Sequence, residues 1–151
     1  MRIRTPSSAN ASGAVSGSRP ANSGKGSTLP GVFAGELSRQ EQSDERYQEE
    51  INLLRTEIDQ TGERLSEEPT LQNFTRFREA LSRLARRITA EAYRLEKFGG
   101  TPQNPRYFEQ ITVINHEADR LYRLIIQEQH DNLAITARVI GIKGMVVDLI
   151  T

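Results

Sequence analysis

Residues 71–98, LQNFTRFREALSRLARRITAEAYRLEKF, carry the clearest periodicity in the sequence. Their apolar residues follow one another at steps of three or four: Leu71, Phe74, Phe77, Leu81, Leu84, Ile88, Ala92, Leu95 and Phe98. This spacing places them on one face of an α-helix, the face that packs against the rest of a bundle. The pair Gly99 and Gly100 supplies a C-terminal stop. The stretch therefore predicts a long amphipathic helix.

The preceding segment predicts a helix of the same kind. Its apolar stripe, with Glu and Gln opposite, consists of Tyr47, Ile51, Leu54, Ile58 and Leu65. Gly62 is a weak point that costs about 1 kcal/mol relative to Ala, and Pro69 ends the helix because it excludes helical backbone from the residue before it. Residues 36–68 hold eleven acids and four bases, whereas 70–98 hold seven bases and three acids. These opposite charges suggest antiparallel neighbours.

Two further helices are expected after Gly100. Asn104 is a plausible N-cap and Pro105 a plausible first residue for the third helix, whose stripe is Ile111, Ile114, Ala118, Leu121 and Ile125. The polar residues 128–132 either continue that helix or form a turn before a fourth. Residues 133–151 are apolar on more than one side, so their helix is central to the bundle or shared with a partner. Their β-branched content also suits a strand, and periodicity alone does not separate the two.

The N-terminal 35 residues have a different composition. They contain no Asp or Glu and are dominated by Ser, Gly, Ala and Pro, with basic residues at Arg2, Arg4, Arg19 and Lys25. Such a stretch has too little to bury to offset its chain entropy. We therefore expect a disordered basic arm over residues 1–35 and an all-α domain of three to four helices over 36–151. Residues 29–37 could dock as a short apolar anchor.

Composition and spacing argue against several chemistries. The chain has no Cys, which excludes disulfides, thiolate metal sites and cysteine nucleophiles. No apolar run resembles a secretory signal or reaches the roughly 18 residues of a membrane span, so we expect a cytoplasmic protein without membrane contact. Residues 23–28 depart from the phosphate-loop pattern. Neither His116 nor His130 has a second ligand at metal-binding spacing. No enzyme activity, metal or cofactor is expected.

One candidate binding surface lies on the second helix. At about 100° per residue, four arginines fall within about 40° of one another: Arg76, Arg83, Arg87 and Arg94. We call them the arginine ridge. Either they pair with acids of the first helix, such as Glu50, Glu57 and Asp59, or they join the arm in gripping an anionic partner such as nucleic acid. The first interpretation is favoured because the ridge lacks interleaved aromatics and the net charge is zero.

A second candidate surface lies in the last segment. Its Gly-x-x-Gly pattern is similar to the loop with which KH domains clamp nucleic acid, but that fold also needs a sheet. The favoured interpretation is that the glycines let another backbone pack closely, within the chain or across a dimer. The candidate residues for close packing and self-association are Gly141, Gly144, Met145 and Leu149.

Three blocks of sequence resemble one known family. Residues 58–65, 74–92 and 140–151 occur in the order and spacing of the YaaR family of small bacterial proteins of unknown function. The resemblance covers residues 36–151 and leaves out the arm. It implies a compact helical bundle in a bacterial cytoplasm, favours helix over strand for the last segment, and supplies no activity, cofactor or catalytic residue.

Together these patterns favour a non-catalytic protein-interaction or adaptor protein of unknown pathway and partner that self-associates into a homo-oligomer. The alternative is a binder of nucleic acid or another anionic surface, which would use the basic arm and the arginine ridge. The orientation of the ridge distinguishes the two, because arginines that face the first helix are not available to a polyanion.

Overall fold

The computed structural model describes the backbone of residues 28–151 and the side chains of residues 31–151. These residues form four helices and no strand: α1 Thr28–Glu67, α2 Leu71–Lys97, α3 Tyr107–Ile125 and α4 Asn132–Ile150. The prediction of an all-α bundle is confirmed, with helix rather than strand for the last segment. Residues Tyr47–Thr151 make up one compact unit, to which the following description refers.

The signals at the ends of α2 act as expected. The Thr70 side chain accepts a hydrogen bond from the backbone N–H of Asn73 and caps the N-terminus. At the other end Gly99 has a positive φ of 79°, which glycine adopts without steric cost. The N–H of Gly100 then donates to the carbonyl of Leu95 at 2.8 Å and closes the helix.

The predicted start of α3 is wrong. Arg106, not Asn104, occupies the N-cap position, and no side chain caps this helix. The Asn104 amide instead donates to the carbonyl of Leu149 at 3.2 Å and ties the loop to the end of α4. The polar stretch 128–132 separates two helices, since α3 ends at Ile125 and the Asp131 side chain caps the N-terminus of α4.

The four helices of the unit run alternately up and down. Contacts pair the residues of successive helices in opposite order along the chain: Glu50 to Arg87 and Glu57 to Arg83, Phe74 to Tyr122 and Arg78 to Asp119, and Asn104, just before α3, to Leu149 and Glu117 to Arg138. The first helix also contacts the last, since Gly62 of α1 packs against Val139 and Lys143 of α4. The four helices therefore form a closed bundle. Such an arrangement with short connections is a common solution for a small all-α core.

Each helix contributes one stripe to the core. The residues with no exposed surface include Leu65, Phe77, Leu121, Ile135 and Ile142. The last helix buries a single stripe, at steps of four and three: Ile135, Val139, Ile142, Val146 and Leu149. Of the two expectations for this helix, a central position is therefore wrong. α4 stands at the periphery: Met145 and Ile150 are partly buried against the core, whereas Leu133 and Ile140 are exposed.

The first part of α1, residues 28–46, is described by itself. It is helical from Thr28, so residues 28–35, which the sequence analysis placed in the arm, belong to α1. Among residues 31–46, whose side chains are described, the large apolar ones are exposed: Val32, Phe33 and Leu37. Residues 1–27, with the predicted disorder and all four basic residues of the arm, lie outside the described residues.

Candidate interaction surface

Two members of the arginine ridge face α1. Arg83 forms a two-pronged ion pair with Glu57, in which Nη1 donates to Oε1 at 2.8 Å. Arg87 donates from Nε to Oε1 of Glu50 at 2.9 Å. The guanidinium carbon of Arg87 also lies 4.9 Å from the ring centroid of Tyr47, within the range of a cation–π contact.

The third member of the ridge is held by a buried acid of its own helix. Arg94 donates from Nε and Nη2 to the two carboxylate oxygens of Glu91, at 3.1 and 2.8 Å. These hydrogen bonds lower the pKa of Glu91 below its ordinary value, and they outweigh the opposing effect of burial. Arg87, with Nη1 at 3.7 Å, contributes to the same shift.

Only Arg76 of the ridge has no ion-pair partner among the described residues, and Asp59 is not a partner of any ridge arginine. The ridge therefore lines the seam between α1 and α2 rather than forming an open basic surface. Nothing in the described residues favours the anionic-partner alternative.

Glu91 should make stability depend on pH. Because its pKa is lowered in the folded state, it stabilises the fold above its unfolded pKa, and that stability is lost as the pH falls through the folded pKa. We expect Glu91→Gln to cost about 1–2 kcal/mol near neutral pH and much less in acid, where the native carboxyl is protonated as well. Urea denaturation of both proteins at several pH values measures this. Glu109→Gln is the matched control, since Glu109 pairs with Arg106 at an exposed site; an equal effect there would contradict the prediction.

The outward face of α4 carries a second apolar stripe. Its members repeat at steps of four and three: Leu133, Ala137, Ile140, Gly144 and Val147. At about 100° per residue this outer stripe spans about 80° and lies opposite the buried stripe. Leu133 is 84% exposed and Ile140 62% exposed. None of the five residues is charged.

The four residues predicted for close packing divide between two environments. Leu149 is buried in the core, and Met145 is half-buried against it. Gly141 and Gly144 are exposed, and a Cβ added to either would meet no atom within 4 Å. The glycines therefore do not serve close packing within the described chain, and only they, of the four, lie on the outward face.

An open groove runs beside the outer stripe, between α3 and α4. It has a volume of about 420 Å³ and is lined by Arg106, Glu109, Gln110, Val113, Met145 and Asp148. Val113 and Met145 extend the apolar surface of the outer stripe toward α3, while charged residues flank them. The groove and the stripe together form one continuous candidate surface.

A family model described as a protein of unknown function, DUF327, matches residues 10–150. The chain belongs to the DUF327 family. This membership confirms the resemblance to a family of small proteins without known function. The match begins at residue 10, so the expectation that the resemblance leaves out residues 1–35 is wrong for most of that stretch. No curated protein matches the chain.

Two solved structures share the DUF327 fold. An uncharacterized protein from Bacillus halodurans is 20% identical, with a TM-score of 0.66 over 77% of this chain and 97% of that one. A DUF327 protein from Thermotoga maritima is 19% identical, with a TM-score of 0.64 over 78% of this chain and 97% of that one. At this level of identity the similarity concerns the fold alone.

Residues 28–151 contain neither a membrane-spanning helix nor a cluster of metal ligands. None of the helices in that range is long and apolar enough to cross a membrane. Within the same range, no three residues among His, Asp and Glu are grouped as metal ligands. The candidate surface of this DUF327 chain is therefore the face formed by the outer stripe and the groove.

Proposed function

We propose that this DUF327 protein is a non-catalytic interaction protein that self-associates through the outer stripe of α4. The observation that carries the proposal is the pair of opposite apolar stripes on one peripheral helix. A surface helix of a bundle needs a single apolar face. The second apolar stripe leaves large side chains in water, and the burial of each would stabilise an assembly by about 1.5–3 kcal/mol.

The charges of α4 support the same assignment. The helix has only three charged residues, Arg138, Lys143 and Asp148. Arg138 donates to Glu117 of α3 at 2.6 Å, and Lys143 lies beside Gly62 of α1. Both point to the neighbouring helices, and the exposed Asp148 lies at the border of the outer stripe, in the groove beside α3, so the stripe itself contains no charge. An uninterrupted apolar strip with polar borders is typical of a protein interface.

The non-catalytic part of the proposal is supported by how the titratable groups are used. Glu91 is the only buried acid among the described residues, and its lowered pKa keeps it ionised, whereas a general acid or base works best with a pKa near the ambient pH. His130 contacts the carbonyl of Ile125 through Nε2 at 2.9 Å. These groups have structural partners.

Light scattering and sedimentation equilibrium at micromolar concentration test the proposal. We expect the native chain to dimerise and Ile140→Asp to be monomeric, because the change places a charge at the centre of the outer stripe. Leu53→Asp is the matched control, since Leu53 is exposed on α1 and should leave the dimer intact. Circular dichroism checks that both variants keep their helices. A monomeric native chain, or equal dissociation by both variants, would refute self-association through this face.

A further inference from the structure

We propose that the two copies pair their α4 helices in an antiparallel arrangement, with Ile140 of one copy lying over Gly144 of the other. The inference rests on the self-association proposed above and specifies its geometry. It comes from the order of large and small residues along the outer stripe, which alternates without exception from Leu133 to Val147.

The outer stripe places large and small residues at different heptad positions. The large ones are Leu133, Ile140 and Val147, and the small ones are Ala137 and Gly144, continued by Thr151 after the helix. In a parallel symmetric pair each residue faces the same residue of the second copy, so large side chains would meet large ones and small side chains would meet small ones. In an antiparallel pair each large residue faces a small one, which allows close and even packing.

Overlap of the two helices selects one register. When they overlap along nearly their full length, Ile140 faces Gly144 of the second copy, and Val147 faces Ala137. Leu133 then faces Thr151 at the ends. A shift of one heptad keeps the alternation but leaves about one and a half turns of each helix unpaired in one direction and about two and a half in the other.

The space for this approach exists on the described surface. A Cβ added to Gly144 or to Gly141 would meet nothing within 4 Å, so the backbone of α4 is open to another helix at its middle. Ala137, the other small residue of the outer stripe within the helix, is also exposed. The second helix can therefore approach at Gly144 and Ala137, where its own Ile140 and Val147 project.

The electrostatics of α4 also favour the antiparallel direction. The helix has no base in its last turn, so its C-terminal dipole is not compensated by a cationic side chain, whereas the Asp131 carboxylate caps its N-terminus. An antiparallel partner sets the opposite helix end beside each terminus. A parallel partner would set like ends together.

The same register brings opposite charges together at the flank. Along the axis of the bundle, Glu117 of α3 lies at the same level as Arg138 of α4, and Asn104 lies at the same level as Leu149. In the proposed pair these levels bring Asp148, in the groove, next to Arg120 of the second copy. Arg120 is 61% exposed and only loosely paired with Glu117, at 3.4 Å. Twofold symmetry produces this pair of charges twice.

Cysteine cross-linking of the full chain tests the geometry, since the native sequence has no Cys. Ile140→Cys and Gly144→Cys are prepared as separate proteins that differ in tag length. After mixing and mild oxidation, we expect the mixed disulfide dimer to form at least about tenfold faster than either self-linked dimer. Faster self-linking at both positions would show a parallel pair, and faster self-linking at only one would show an antiparallel pair in another register; either result would overturn the geometry while leaving self-association intact. A dimer with none of these links would overturn it as well, and a monomeric native chain would remove both proposals.

A charge exchange tests the register without altering the outer stripe. Asp148→Arg and Arg120→Asp should each weaken dimerisation about three- to tenfold. The double variant should regain most of the native affinity, because the pair is restored with its signs reversed. Additive weakening in the double variant would contradict the register even if the cysteine variants lose their structure.

Discussion

Replacement of Phe77 by Ala is expected to lower the free energy of unfolding by about 3–5 kcal/mol. The ring is completely buried, and it lies where α2 meets α1, since its Cε1 would be 3.0 Å from a Cβ placed on Gly62. Removal of the ring leaves a cavity between helices that are joined by ion pairs on the outside, and such a cavity collapses only in part.

Urea denaturation followed by circular dichroism, at one fixed protein concentration, measures this loss. Phe108→Ala is the control of identical chemistry at an exposed site, and we expect it to change stability by less than about 0.5 kcal/mol. Similar losses for both variants would mean that Phe77 does not occupy a closely packed core.

Replacement of Gly62 by Leu should destabilise the fold by about 3 kcal/mol, near the upper end of the usual overpacking range. A Cβ at this position would lie 2.7 Å from Cε of Lys143, 3.0 Å from Cε1 of Phe77 and 3.1 Å from Cγ1 of Val139. The end of the lysine chain can move away. Phe77 and Val139 are fully buried, so they cannot move without disturbing the core.

The alanine variant gives a sharper form of the same test. On helix propensity alone Gly62→Ala would stabilise α1 by about 1 kcal/mol, but we expect the crowding to reverse that sign. Gly141→Ala, on the open face of α4, should show the gain in stability from helix propensity without any steric clash. Its effect is best measured in the Ile140→Asp background, where we expect the chain to be monomeric. Stabilisation by both variants would show that the α1–α4 junction has room to spare.

Much of this fold could be predicted from spacing alone. Steps of three and four identified the core stripes of α1, α2 and α3, and Pro69 and Gly99 marked the helix ends because their effects on the backbone are local. The prediction was wrong at both ends of the α2 stripe, where Leu71 and Phe98 are exposed. The role of Asn104 was predicted only in part. Its Oδ1 accepts a hydrogen bond from the backbone N–H of Arg106 at 3.0 Å, a local contact typical of Asn in turns, but the helix begins only at Tyr107. Its amide donates to the carbonyl of Leu149, and no local pattern carries that information.

The candidate surface was harder to predict. The sequence of α4 is visibly apolar on several sides, but spacing alone does not separate Leu149 from Gly141 and Gly144, which lie on a different face. Two stripes with identical four-three spacing run along this helix, and periodicity cannot tell which one the bundle buries. The available signal was volume: the buried stripe has only large residues, whereas the outer stripe alternates large and small. That difference could have separated Leu133 and Ile140 from the core.

The up-and-down order of the helices has a consequence for how the chain folds. Each helix packs on its neighbour in sequence across a short connection, so most native contacts close small loops and cost little entropy. The contact of Gly62 with Val139 is different, because it joins the first helix to the last. We therefore expect α2, α3 and α4 to assemble early, with α1 docking late against them. The closing junction, rather than any hairpin, would then set the height of the kinetic barrier.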